Sequence, residues 1–273
     1  MIRGLIRGEW LKVRRLGITW LMIGVPTVLA MLGSTLPIFG AAQAARSIGF
    51  DQFGGFQEFF FPQAAIIGIQ LVDFLGGILL IMFITAVVGN EYRFDTWKTL
   101  LTRRAGRARF LLVKMGYALG FSTLILILAP LVFQLGANFA LKSALDIDVP
   151  IALNASEGQQ LLVSFGVTWL RLEIAVSIGL LTSIVARSAG GALTIGLPWL
   201  MVDGLANSVG VFPGFFRDIA PFTFNRNLDA LGNYLQGGSH ALSPIHISIV
   251  LLIYTVGVAA LAIALFRRRD IAG

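Results

Sequence analysis

Apolar residues along this chain gather into six long runs, at about 17–37, 64–90, 110–137, 159–186, 191–210 and 244–266. Such runs match the ~20 residues that carry a helix across a ~30 Å hydrocarbon layer at 1.5 Å per residue. They are continuous rather than alternating, which argues for helices and against the strands of a barrel. The pattern predicts an all-α integral membrane protein: six transmembrane helices forming a single domain over residues 1–273.

The segments between the runs have patterns of their own. In residues 1–16, Ile2, Leu5, Ile6, Trp10, Val13 and Leu16 share one helical arc, and Arg3, Arg7, Arg14 and Arg15 occupy the opposite one. That describes a helix lying in the membrane interface. Glu9 breaks the apolar arc, and a carboxylate there needs a partner; a basic residue of the 91–109 segment is expected to supply it. The run that follows is long for a signal peptide and lacks an A-x-A site, so it reads as a retained first span. Residues 38–63 place Phe50, Phe53, Phe56 and Phe59 at three-residue spacing, as in a short turn packed at the outer interface. Asn154-Ala155-Ser156 in the loop 138–158 matches a glycosylation sequon. Residues 211–243 hold apolar stretches broken by Pro and Gly that are too short to cross, and read as re-entrant or interfacial.

The densest polar stretch, residues 91–109 with Lys114 beyond it, separates the second and third runs. One Arg or Lys at mid-membrane depth costs roughly 2.5–3.5 kcal/mol, so this stretch belongs in water. Phe94, Trp97, Leu100 and Leu101 fall on one arc and Asp95, Lys98, Thr99, Thr102 and Arg103 on the other, with Asp95 placed as an N-cap. The expectation is a short amphipathic helix at the cytosolic surface, with a loop that merely fixes topology as its plainer alternative.

Composition agrees with the pattern. The chain is 56% hydrophobic and 13% charged, about half the charge of an average soluble domain. Its net charge of +7 would suggest nucleic acid in a soluble protein, but the basic residues are segregated. Of the 21, sixteen fall in segments at one side, four at the other (Arg46, Lys142, Arg217, Arg226), and Arg171 in a run. The positive-inside rule then puts both termini in the cytosol. Asp73, Arg171, Glu173 and Asp203 lie within the runs and form a candidate intramembrane polar network. Arg171 and Glu173, two apart, point to nearly opposite faces, so each needs a partner on another helix or a wet cavity. A clasp from Arg171 to Asp73 or Asp203 and a polar translocation path both satisfy that need.

Catalytic sets are missing. There is no H-E-x-x-H, no G-x-S-x-G, no cysteine and no Gly-Lys dipeptide, hence no P-loop, and the two histidines are too few for a metal site. No catalytic, cofactor-binding or metal-binding residue is expected. A Gly116-x-x-x-Gly120 pair offers close helix approach.

Taken in order, Glu91, Thr96, Leu100-Leu101-Thr102, Arg107 and Lys114 resemble the segment between the second and third spans of type-2 ABC exporter permeases. Glu9-Trp10-x-Lys12 resembles that family's interfacial elbow helix, and Phe266-Arg267-Arg268-Arg269-Asp270-Ile271 the close of its bacterial members. Asp95 stands where Gly is usual and Arg104 where Pro is usual. The resemblance implies a permease in a bacterial cell membrane, with a coupling helix over 91–104 that receives a cytosolic ABC ATPase. Glu91, Thr96, Trp97, Lys98, Leu101 and Arg103 are then the contact residues, and Glu9, Trp10 and Lys12 belong to the elbow. ATP and Mg would sit on the ATPase, a second permease chain would complete the transporter, and the cargo would be a hydrophobic or amphipathic drug, peptide antibiotic or lipid. A proton-coupled secondary transporter using Asp73, Glu173 or Asp203 is the alternative; no internal repeat supports it.

Overall fold

The computed structural model describes residues 2–48, 56–94, 107–148, 153–207, 218–239 and 241–268. Helix α1 covers Ile2–Arg15 and α2 covers Gly17–Ile48, followed by a 3-10 turn at Phe56–Phe59. Next come α3 (Gln63–Arg93), α4 (Arg107–Leu145), α5 (Ala155–Ala186) and α6 (Ala189–Asn207). A 3-10 turn at Ala220–Phe222 leads into α7 (Phe224–Leu235). The last span is α8 (Pro244–Leu252), a π-helical turn (Ile253–Gly257) and α9 (Val258–Arg268). Among the described residues there is no strand, and six helices are long and apolar enough to cross a membrane.

Several helices outrun their apolar segments. The first span continues as helix to Ile48 and the third to Leu145. A helix satisfies its own backbone polar groups, so it can extend past the hydrocarbon without penalty. Asn154 is the N-cap of α5 in a capping box, its backbone N–H donating to Glu157 Oε2 at 2.9 Å. Arg187, left-handed at φ 53°, ends the same helix.

Helix α3 is the central post, packed on α5, α4, α6 and α2. Phe83, Leu80 and Val88 of α3, Leu172, Val176 and Leu180 of α5, and Phe110 and Leu126 of α4 are all fully buried in one cluster. Two glycines let one helix approach the backbone of another. A Cβ on Gly68 would stand 2.6 Å from Pro130 Cα, and one on Gly89 would stand 2.5 Å from the Ala189 backbone. The Gly116–Gly120 pair, by contrast, has nothing within 4 Å of either position among the described residues. Both glycines point away from the core.

The junction of α1 and α2 lies at Leu16, which is outside both helices. The freed carbonyls of α1 are taken up by α2: Thr19 Oγ1 donates to Val13 O at 2.6 Å and Trp20 Nε1 to Arg14 O at 3.1 Å. These bonds tie the end of α1 to the start of α2.

Candidate functional site

Two polar clusters interrupt the apolar bundle. The first lies where α1, the end of α3 and the start of α4 meet. Lys114 is 1% exposed, and its three ammonium donors reach Glu9 Oε2 (2.7 Å), Glu91 Oε1 (3.0 Å) and Val87 O (3.2 Å). Lys12 donates to Glu9 Oε1 and Glu91 Oε1, both at 3.1 Å. Two carboxylates against two ammoniums leave the cluster neutral, which is what allows Glu9 and Glu91 to be buried. The Phe110 ring lies under Lys114 at 4.9 Å. Burial of the Lys12 ammonium works against its charge, but the Glu91 and Glu9 carboxylates outweigh that and raise its pKa above the usual value.

Trp10 reinforces the joint. It stacks on Tyr117 (6.1 Å) and Phe121 (6.3 Å) of α4, while Tyr117 Oη donates to Ile6 O at 2.6 Å. Glu9 thus finds its partners at Lys114 and in its own turn at Lys12, outside the 91–109 segment from which a partner was expected. The reason is geometric: Lys114 is one turn further into α4, where that helix packs on α1. Of the expected coupling residues, Glu91 is held inward by this cluster; Thr96, Trp97, Lys98, Leu101 and Arg103 lie outside the described residues.

The second cluster lies toward the opposite end. Arg171 of α5 pairs with Asp73 of α3 and, through its other terminal nitrogen, with Asp229 of α7 at 2.8 Å. Asp73 is ten residues into α3, about 15 Å along its axis. Glu173 faces the other way and accepts from Ser122 of α4 at 3.0 Å. Asp203 of α6 is 3% exposed and does not pair with Arg171; its carboxylate accepts from Phe224 N (2.9 Å) and Asn225 N (3.0 Å) at the start of α7. An anion there meets unpaired donors and the positive end of the helix dipole. The four candidate network residues therefore split: Asp73 and Arg171 meet, while Glu173 and Asp203 serve separate joints. Asp229 and Ser122 escaped the sequence reading, Asp229 because it lies outside the apolar runs and Ser122 because a lone serine carries no signal. His246 lies in this region, its ring Nε2 2.8 Å from Pro221 O; His240 is outside the described residues.

Two cavities flank α6. One, of about 430 Å³, includes Asp73, Arg171, Phe74 and Met201 in its walls. The other, of about 410 Å³, includes Trp199, Asp203, Phe222 and Tyr254. Among the described residues no group of side chains could hold a metal ion.

Six apolar helices of spanning length define a multi-pass membrane protein. The profile of a family described as "ABC-2 family transporter protein" matches residues 5–197, from the first helix into the fifth span, and the chain belongs to that family. It is accordingly a membrane permease subunit of an ABC transporter. No curated protein matches the chain.

Proposed function

We propose that this chain is the permease of an ATP-driven exporter, moved by a separate cytosolic ATPase that docks on residues 91–104. Two such permease chains, identical or related, enclose the path, and the cargo is hydrophobic or amphipathic. Both termini and the 91–104 segment face the cytosol of a bacterial cell. ATP and Mg are bound by the ATPase, and this chain contributes the mechanical receiver.

The observation that carries this reading is the buried Lys114 cluster. Residues 95–106 join α3 to α4, and the helices on either side are bolted to the elbow through Glu91 and Lys114. A push on that connection is therefore passed to three helices at once instead of being absorbed by a slack loop. Glu91 acts as the strut beneath the docking segment, and Thr96, Trp97, Lys98, Leu101 and Arg103 form its outer contact.

The test is co-expression with the partner ATPase. Tagged permease is expected to retain the ATPase through purification, and cargo to stimulate ATP turnover. Trp97→Ala or Thr96→Pro is expected to keep the chain in the membrane while cutting cargo-stimulated turnover at least tenfold. Unchanged stimulation in both variants would remove the coupling role from this segment.

A further inference from the structure

The turn before α7 and the π-helical turn of the last span border the 410 Å³ cavity beside α6. Three aromatic side chains line it, Trp199, Phe222 and Tyr254, with aliphatic Val202 and a single carboxylate, Asp203. No basic side chain lines it among the described residues. We propose that this cavity binds a lipophilic organic cation, an ammonium or phosphonium centre carrying apolar groups. As a statement about exported cargo, this rests on the exporter reading above.

Each part of the wall favours that class. Aromatic faces carry the negative side of the ring quadrupole and attract a cation most strongly where water is scarce. Trp199 on α6 and Tyr254 on the last span bring their rings to the same wall from two elements. The Asp203 carboxylate is fixed by two backbone N–H groups at the start of α7, whose helix dipole offsets only about half of its charge and leaves the wall negative. At low dielectric that charge acts over the width of the cavity. An anion meets the same charge as repulsion, and a neutral molecule gains burial alone.

The site is also preformed. Pro221 O accepts from Asn227 Nδ2 at 2.8 Å and lies 2.8 Å from the His246 ring, while Phe222 tilts against that ring at 5.6 Å. Tyr254 sits on the π-helical turn, a distortion that recurs at functional positions. The cavity on the other flank of α6 does not share this character, because Arg171 lines it and would oppose a cation.

Equilibrium dialysis of the purified full chain with tetraphenylphosphonium tests the proposal. Neutral triphenylphosphine oxide supplies the comparison. The phosphonium is expected to bind saturably, at least tenfold tighter than the oxide. Trp199→Leu and Tyr254→Leu are each expected to weaken it about 3- to 30-fold, while Trp199→Phe stays within ~3-fold. Should the leucine variants aggregate, Phe222→Leu at a 61% exposed position supplies the same test, with a loss of ~3-fold. Equal affinity for cation and oxide, or wild-type affinity in the ring-deleted variants, overturns the site. Dialysis involves neither ATP nor a partner. Saturable binding without ATP-linked transport would overturn the exporter reading alone, and transport without saturable binding would overturn the cavity alone.

Discussion

Lys114 is the residue whose loss should matter most. Replacing it with Met leaves Glu9 and Glu91 buried without their shared ammonium, which costs about 3–5 kcal/mol. Thermal midpoints in detergent should fall sharply for Lys114→Met and recover in large part when Glu9→Gln and Glu91→Gln are added. Lys12 behaves differently because it is half exposed and its pKa is raised. A raised folded-state value means that its contribution is complete below its ordinary value of 10.5 and disappears as pH climbs through the higher folded value. The stability difference between wild type and Lys12→Met should therefore stay constant from pH 7 to 9 and shrink only above about 10.5. At the other cluster, Arg171→Leu strands Asp73 and should lower folded yield, with Asp73→Leu partly restoring it; full yield in the single variant would count against the clasp. Much of this was legible in the sequence. Glu9 announced itself as a carboxylate on an apolar arc, and Arg171 and Glu173 as charges two apart in a hydrocarbon run. Their partners were not legible, since pairs such as Lys114–Glu9, 105 positions apart, depend on how helices stack and not on local pattern.

At the scale of elements, hydrophobic runs alone located all six spans, because membrane thickness imposes a length that composition reveals directly. Their ends were less legible, since polar residues beyond the hydrocarbon can be helical or not, as in α4 running on to Leu145. Glycine spacing was a poor guide. Gly116 and Gly120 fit the expected four-residue motif and touch nothing among the described residues, whereas Gly68, in no such motif, lies against the Pro130 backbone. Gly68→Ala should destabilise the bundle by about 1–3 kcal/mol through forced separation of α3 and α4. Gly116→Ala should leave the thermal midpoint of the isolated chain unchanged or slightly raised. Equal effects of the two would show that the close approach is not structural. Asp203 illustrates a further limit: a carboxylate in a span reads as a charge seeking a counter-charge, and here it caps a helix start instead.

For the whole molecule, the segregation of sixteen basic residues to one side is the strongest statement about orientation, and it is testable without altering the background because the chain has no cysteine. Single cysteines at position 98 or 267 should be blocked by a membrane-impermeant thiol reagent only in inverted vesicles, and one at position 146 only in intact cells; the reverse pattern would invert the proposed topology. The length of α4 has a mechanical consequence. From the buried ammonium of Lys114 to Leu145 is a run of 31 residues, about 46 Å of helix, with its one internal proline braced against Gly68. Such a rod, rotated by only ~5° about its anchored foot, carries its far tip through about 4 Å. A sub-ångström nudge beside the anchor is thereby magnified into a displacement, at the opposite membrane face, comparable to the width of a small ion.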